Sequence, residues 1–225
     1  MTKFSFIVRS RRVLLCVLAG VAMLMSTGWR PMLAAEEHPR PSLLSELQAG
    51  GLIIYFRHSL TVRAGQPDND LSNCSNQRNL TEAGRSLAQD IGAAFRELQI
   101  PVGPVLSSPY CRCKDTAALA FGRVEVATYL ETNGDPRDAD EQRRLDELAR
   151  VLREHPRAGS NTILVAHGNN LQGLALLHRY PELGIEEGAA VVFRARPGHP
   201  AEVLARLGPH EWRSLTTRRS AATSR

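Results

Sequence analysis

The sequence has no apolar run long enough to form a membrane-spanning helix. Its longest run, VLLCVLAGVAMLM at residues 13–25, contains 13 residues, whereas a spanning helix needs about 20 apolar residues. We therefore expect no stable membrane span once this segment has been removed.

The chain also lacks a surplus of basic residues outside its first 35 positions. It has 28 basic and 23 acidic residues, but five of the basic residues and none of the acidic ones lie in residues 1–35. The remaining 23 basic residues balance the 23 acidic ones. The high isoelectric point belongs largely to the N-terminal segment, so the composition gives no indication of nucleic-acid binding.

Residues 1–35 have the composition of an export signal. A basic head without acidic residues precedes the apolar run, and the small residues of MLAA end the segment. This order is typical of a secretory signal, and SRRVLL also resembles a twin-arginine signal. We expect cleavage after Ala34 or Ala35 and a periplasmic protein. Retention of the segment as an N-terminal membrane anchor is the alternative.

Strand-like and helix-like stretches alternate after this segment. The patterns predict buried strands at LIIYF, PVLSSP, VEVATYL and NTILVAHG, separated by amphipathic helices, and a terminal hairpin from AAVVFRAR and AEVLARL. We expect a lead over 36–50, one domain over 51–215 and a disordered tail over 216–225. The alternation predicts an α/β fold with a mostly parallel central sheet and helices on both faces.

Chemically reactive side chains follow the predicted strands, where ligands bind in open α/β sheets. These residues are Arg57 and His58, Ser107 and Ser108 with Arg112 one turn further on, Glu131, and His167 with Gly168. Guanidinium groups form bidentate contacts with oxyanions, and a histidine can be the nucleophile that forms a covalent intermediate. Two arginines and two histidines suit a phosphoryl group better than a cationic metal, and therefore predict metal-free phosphoryl transfer.

Four blocks carry a resemblance to a known family. RHSLT, RNLTEAG, SSPYCRCKDTA and VAHGNN resemble, in this order, the blocks of the histidine phosphatase superfamily, and the likeness covers roughly residues 51–215. The resemblance implies a three-layer α/β/α fold, a phosphohistidine intermediate on His58 and no cofactor. It implies a phosphate site formed by Arg57, Arg112 and His167, with Thr61 lining the same pocket and Gly168 beside it. Ser59 stands where the family signature has glycine.

The general acid is less well defined by the sequence. Glu131 fits the position after the third predicted strand, and Asp135 and Asp138 follow in the same loop. Arg63 and Arg78 precede the first long helix and either widen the positive field of the pocket or are ordinary surface charges.

Other polar residues near these blocks have simpler interpretations. Asn169 and Asn170 are expected to cap the next helix, and a phosphate contact is the alternative. The remaining histidines have no matching context, namely His155, His178, His199 and His210.

The cysteines are few, and they fit an oxidising compartment. Cys16 belongs to the signal, so Cys74, Cys111 and Cys113 remain, a number that indicates one disulfide and one free thiol. We expect Cys74 to pair with Cys111, because the loop of Cys74 and the turn before Arg112 should both border the pocket. Cys113 is the competing partner. The pair in CRC has no second pair at metal-site spacing, so we expect no metal site.

The sequence thus favours an exported phosphatase that acts on a small phosphomonoester or an envelope glycan or lipid phosphate. A phosphoprotein or phosphohistidine phosphatase of the same fold is the second hypothesis, and a non-catalytic phosphate-binding protein is the third. A mutase is less favoured, because export separates it from glycolytic intermediates. Neither the substrate nor the oligomeric state follows from the sequence.

Overall fold

The computed structural model describes residues 42–62, 68, 70–154 and 156–215. The predicted signal, residues 36–41 of the predicted lead and the predicted tail lie outside the described residues. Within the described part, no helix combines the length and the apolar character that crossing a membrane requires.

The described residues contain one six-stranded sheet in the order β3-β2-β4-β1-β5-β6. The strands are β1 Ile53–Arg57, β2 Val102–Ser107, β3 Glu125–Val126, β4 Asn161–Ala166, β5 Ala190–Arg194 and β6 Glu202–Leu207. Neighbouring strands from β3 to β1 pair in parallel, whereas β5 is antiparallel to β1 and β6 is antiparallel to β5. The mostly parallel sheet and the terminal hairpin agree with the sequence prediction.

Helices cover both faces of this sheet. They are α1 Leu43–Ala49, α2 Glu82–Glu97, α3 Cys111–Phe121, α4 Ala139–Arg153 and α5 Gly168–His178. Ile54 and Phe56 of β1 pack into a cluster with α1, α2 and α3, while Ile53 and Tyr55 pack on the other side with α4 and α5. Because successive strand residues point to opposite faces, the apolar run of β1 fills two cores. The predicted three-layer α/β/α fold is confirmed.

The helix ends carry the expected signals. Thr81 caps α2 by accepting a hydrogen bond from the Gly84 backbone N–H at 3.0 Å, and Asp138 caps α4 in the same way. Gly122 ends α3 in the left-handed conformation, with a φ of 71°, which glycine adopts without strain. The two N-caps mark where the loops before α2 and α4 end, and Gly122 marks where the loop after α3 begins.

The sequence prediction of a full strand over VEVATYL was wrong for its second half. Only Glu125 and Val126 pair with β2, and residues Thr128–Leu130 form a 3₁₀ turn. Leu130 is fully buried in the cluster under α4, so the chain must turn down from the sheet edge to reach that core. The loop that carries Glu131 therefore leaves the sheet earlier than the β-branched pattern indicated.

Candidate active site

The register of β1 and β4 brings the two histidines together. Arg57 lies opposite Ala166 in the parallel pair, and the His58 backbone N–H donates to the Ala166 carbonyl at 2.9 Å. His58 and His167 therefore follow their strands at the same level, and their ring centroids are 5.6 Å apart.

His58 is a neutral imidazole with a fixed tautomer. Its Nδ1 lies 2.9 Å from the Ser59 carbonyl oxygen, and because a carbonyl only accepts, Nδ1 carries the proton. Nε2 is left with its lone pair. Burial, together with the Arg112 and Arg57 guanidiniums, lowers the His58 pKa to about 3 against the opposing effect of the Ser59 hydrogen bond. The ring is thus prepared for nucleophilic attack through Nε2.

His167 is held from both of its ring nitrogens. Arg112 Nη2 lies 3.4 Å from Nδ1, and because a guanidinium only donates, Nδ1 accepts. Nε2 then donates to the Ser108 hydroxyl oxygen at 2.8 Å. Burial, followed by the Arg112 charge, holds the pKa of His167 well below its usual value.

Arg112 lies in the first turn of α3, and only 5% of the residue is exposed. Its Nη1 donates to Asp68 Oδ1 at 2.8 Å, and its guanidinium carbon lies 4.2 Å above the centre of the Tyr110 ring. The Tyr110 ring in turn packs edge-on against His167, with centroids 5.0 Å apart. Arg112 is thereby placed beside both histidines.

The structure joins Cys74 to Cys111, the pairing that the sequence favoured, and leaves Cys113 as a buried thiol. Gln77 adds a second link, because its Oε1 accepts from the Cys111 backbone N–H at 2.9 Å. The loop before α2 is therefore attached to the residue that precedes Arg112. The Cys113 sulfur lies 3.7 Å from His167 Nε2.

Arg57 faces the N-terminus of α5 and the loop before β5. Its Nη1 donates to the Ile185 carbonyl at 3.0 Å, and a Cβ placed on Gly168 would lie 3.6 Å from the same Nη1. Its Nη2 lies 3.6 Å from Glu187 Oε1. Glu187 also accepts from the Thr61 hydroxyl at 2.8 Å and from the Thr61 backbone N–H at 3.0 Å.

Arg78 lies in the candidate site. The sequence had left open whether this residue is part of the pocket or an ordinary surface charge. Its Nη2 lies 3.8 Å from Glu187 Oε1, and its charge contributes to the lowered pKa of His58. Among the described residues, the Nε atoms of Arg57, Arg78 and Arg112 are all buried without a hydrogen-bond partner. Three unpaired guanidinium N–H groups beside two neutral histidines form an oxyanion-binding arrangement.

Glu131 influences Tyr110, the ring that packs against His167. Burial raises the pKa of Tyr110, and the charges of Asp68 and Glu131 add to this effect, so the Glu131 carboxylate lies within electrostatic range of a ring that contacts His167. Glu131 also lines an open cavity of about 240 Å³ that reaches Arg143 and Arg144 on α4.

The other two acid candidates have local partners. Asp135 accepts from Arg137 Nε at 3.0 Å, and Asp138 accepts from the Glu141 backbone N–H at 2.9 Å as the cap of α4.

Ser59 faces away from the pocket. Its hydroxyl donates to the Gly84 carbonyl at 2.7 Å, and its backbone N–H donates to the Thr116 hydroxyl at 3.0 Å. A Cβ on Gly84 would lie 2.1 Å from the Leu60 carbonyl oxygen, so only glycine permits this approach of α2. The serine therefore links the end of β1 to α2 and α3 through its own hydrogen bonds.

Asn170 holds the start of α5, as expected for a capping residue. Its Oδ1 accepts from the His167 backbone N–H at 3.1 Å, and its Nδ2 donates to the Glu131 carbonyl at 3.2 Å. The Asn169 side chain lies against Gly134. His178 pairs with Asp146 at 3.1 Å, whereas Arg63 and His155 lie outside the described residues.

Sequence reasoning placed Ser108 at a strand end without giving it a role, and it did not include Glu187, Asp68 and Tyr110 in the site. Glu187 could not be found from strand ends, because it precedes a strand. The antiparallel pairing of β5 with β1 brings this loop to the rim, where the Gly188 backbone N–H donates to the His58 carbonyl at 2.9 Å. Among the described residues, no group of three or more His, Cys, Asp or Glu side chains could hold a metal ion.

No protein-family model and no curated protein matches the sequence, but solved structures do. A protein from Escherichia coli K-12 described as an α-ribazole-5'-P phosphatase is 14% identical, with 71% of this chain and 97% of that chain covered and a TM-score of 0.51. A protein described as the phosphohistidine phosphatase SixA from Agrobacterium tumefaciens is 20% identical over 71% and 99% of the two chains, with a TM-score of 0.46. A mycobacterial glucosyl-3-phosphoglycerate phosphatase is 17% identical over 70% and 99%, with a TM-score of 0.49. The first of these supports a common fold.

Proposed function

We propose that this chain, which has the fold of the histidine phosphatase superfamily, is a phosphatase that hydrolyses phosphomonoesters through a phosphohistidine on His58. The observation that carries the proposal is the combination of a buried, neutral His58, whose Nδ1 is bonded to the Ser59 carbonyl, with three buried and unpaired guanidinium Nε atoms.

In the first step, the lone pair of His58 Nε2 attacks phosphorus and the bond to the leaving oxygen breaks. Arg57 and Arg112 stabilise the charge on the equatorial oxygens, and His167 joins them once its Nε2–H exchanges the Ser108 hydroxyl for a phosphoryl oxygen. Arg112 is held in place by Asp68, so its donors need little reorganisation when the charge develops. The proton on His58 Nδ1 stays on that nitrogen throughout, hydrogen-bonded to the Ser59 carbonyl.

The leaving alkoxide takes a proton, for which Glu131 is the candidate acid. In the second step the same carboxylate accepts a proton from water, and the water oxygen attacks the phosphohistidine. The products are the alcohol, inorganic phosphate and free His58. The protein groups suffice for both steps, so we expect activity without a metal ion or another cofactor.

We propose that the enzyme acts outside the cytoplasm, in the periplasm or cell envelope, and two observations support this. Residues 1–35 have the composition of an export signal, and Cys74 and Cys111 form a disulfide, a bond that persists mainly in oxidising compartments. The substrate would then be a small phosphomonoester or an envelope glycan or lipid phosphate. N-terminal sequencing of protein from a fractionated host should find a start near Ala35 or Glu36, and an intact Met1 in the cytoplasmic fraction would contradict export.

Turnover of p-nitrophenyl phosphate tests the proposed activity directly. We expect release of phosphate that EDTA does not reduce, and no release by His58→Ala. A protein that binds phosphate without turnover would instead be the non-catalytic phosphate binder. Phosphohistidine peptides and phosphorylated envelope fragments should be compared as substrates in the same assay, because the second hypothesis predicts preference for the peptides.

A further inference from the structure

Glu187 occupies a position that has the donors of a second oxyanion site. Its carboxylate lies 3.6 Å from Arg57 Nη2 and 3.8 Å from Arg78 Nη2. It also accepts two hydrogen bonds from Thr61, one from the hydroxyl at 2.8 Å and one from the backbone N–H at 3.0 Å. Two guanidiniums, a hydroxyl and a backbone N–H are the donors that bind phosphate or carboxylate groups in proteins. In this protein, the anion that these donors bind is the Glu187 carboxylate.

This position adjoins the phosphoryl site. Arg57 precedes the nucleophile His58 and contacts Glu187, while the backbone of Gly188 donates to the His58 carbonyl at 2.9 Å. The side chains of Arg57, Arg78 and Glu187 are 30%, 26% and 19% exposed. A group carried by a bound substrate can therefore reach Glu187 from solvent.

The charges around Glu187 determine which substrate groups can bind beside it. The guanidiniums of Arg57, Arg78 and Arg112 face the carboxylates of Glu187 and Asp68. One net positive charge remains for the phosphoryl group. A second anionic group on the substrate would meet the Glu187 carboxylate, and like charges placed together at a recognition site are strongly unfavourable.

We propose that Glu187 determines specificity by filling this second anion subsite, so that the enzyme selects phosphomonoesters whose remaining part is uncharged. The inference rests on the proposed function, because it concerns the substrate class of the same site. It identifies the preferred substrates as esters of neutral alcohols, such as polyols or sugars, and it disfavours bisphosphates and phosphorylated carboxylic acids.

A matched pair of substrates tests this selection. Glycerol 3-phosphate and 3-phosphoglycerate share a three-carbon skeleton and differ in one terminal group, which is neutral in the first and anionic in the second. We expect the wild-type enzyme to favour glycerol 3-phosphate, and Glu187→Gln to shift the ratio of the two kcat/KM values towards 3-phosphoglycerate by about tenfold or more. Because the ratio is taken within one protein, a general loss of activity cancels.

Glu186→Gln is the matched control. It removes the same charge one residue away, where the exposed side chain lies beside Gly208 rather than Thr61. We expect its ratio to stay within about twofold of the wild-type ratio, since the field of an exposed charge is screened over a Debye length. An equal shift in both variants, or no shift in Glu187→Gln, would overturn the proposal.

A second variant covers the case in which Glu187→Gln does not fold. Arg78→Gln removes a cation that neutralises Glu187, so the ratio should move in the opposite direction, away from 3-phosphoglycerate. The control is Arg85→Gln, which removes a cation paired with Asp115 at the contact of α2 and α3. A ratio that is the same in Arg78→Gln and Arg85→Gln would contradict the subsite.

Equilibrium binding separates this inference from the proposed function. Calorimetric Kd values for both compounds, measured in His58→Ala with and without Glu187→Gln, do not require turnover. A shift of the Kd ratio towards 3-phosphoglycerate supports the subsite even if the wild-type protein hydrolyses neither compound, in which case only the proposed catalysis fails. An unchanged Kd ratio in an enzyme that does turn over its substrates refutes the subsite alone.

Discussion

The two sides of the candidate site are built differently. On the side proposed to bind the phosphoryl group, His58, Arg112 and His167 are 1%, 5% and 4% exposed, and both histidine rings are oriented by hydrogen bonds to their nitrogens. On the side where the leaving group would lie, Glu131 follows a 3₁₀ turn and lines an open cavity. The first side is fixed by strands and helix starts, and the second belongs to an irregular loop.

In the proposed mechanism, the two sides of the site perform different tasks. A buried, oriented charge stabilises a transition state more than a solvated one, because it neither reorganises nor competes with water. The phosphoryl group is the same in every substrate, so a rigid site suits it. The leaving group varies among substrates, and an open loop with a carboxylate can accept that variation.

The largest effect should follow removal of the nucleophile on the rigid side. His58→Ala should abolish measurable turnover of p-nitrophenyl phosphate, because no other buried neutral imidazole is positioned for attack in the proposed mechanism. His178→Ala, on the far end of α5, is the control and should keep wild-type activity. Full activity of His58→Ala would show that the rigid side does not contain the nucleophile.

Loss of one oxyanion donor should cost less than loss of the nucleophile. Arg112→Ala should reduce kcat by about a hundredfold to a thousandfold, which corresponds to about 2.7 to 4 kcal/mol in the barrier. Its circular dichroism spectrum should match that of the wild type. A reduction below about tenfold would place Arg112 outside the transition-state contacts.

The disulfide provides a way to loosen the rigid side without altering its charges. Cys74→Ser opens a crosslink between residues 37 positions apart and should lower the free energy of unfolding by about 3 to 4 kcal/mol on the chain-entropy model. KM for the substrate should rise as well, because Arg112 follows Cys111. Reductant should reproduce both effects in the wild type and change nothing in the variant, and a variant as stable as the wild type would show that the bridge is dispensable.

The leaving-group side should show a dependence on substrate chemistry. Glu131→Gln should slow hydrolysis of glycerol 3-phosphate by about a hundredfold, within the usual contribution of a general acid. The effect on p-nitrophenyl phosphate should be smaller, because p-nitrophenolate leaves without protonation. Asp135→Asn and Asp138→Asn are the comparison variants, and the same substrate-dependent loss in either of them would move the acid role away from Glu131.

The last effect concerns acid stability, and it again arises on the rigid side. His58 has a pKa lowered from 6.5 to about 3, so the unfolded state binds more protons than the native state between these values. Stability is therefore full above pH 6.5 and falls as the pH drops towards 3, by up to about 1.4 kcal/mol per pH unit for one histidine. The free energy of unfolding of His58→Asn between pH 7 and 4 should show a shallower slope. Equal slopes would mean that His58 titrates normally in the native protein.

The same contrast explains what the sequence could and could not predict. The ends of β1 and β4 could be predicted from the sequence, because an apolar run followed by a histidine marks both the strand and the residue at which it ends. Parallel pairing then aligns His58 with His167. The second half of VEVATYL was misread, because burial of Leu130 under α4 overrides its strand preference.

Glu187 shows the limit of reasoning from strand ends. A residue before an antiparallel strand reaches the same rim as residues after a parallel one, but only the pairing of β5 with β1 shows this. The partners of Arg78 are likewise set by that pairing and not by its own sequence context. Long-range pairings of this kind leave no local pattern.

The most direct test of the account is the covalent intermediate itself. The enzyme should be mixed briefly with a substrate carrying a ³²P-labelled phosphoryl group, quenched in alkali and digested with a protease. We expect one labelled peptide that contains His58, with a label stable in base and lost in acid, and no label in His58→Ala. Rapid turnover without any acid-labile label on His58, or a label that persists in His58→Ala, would contradict it.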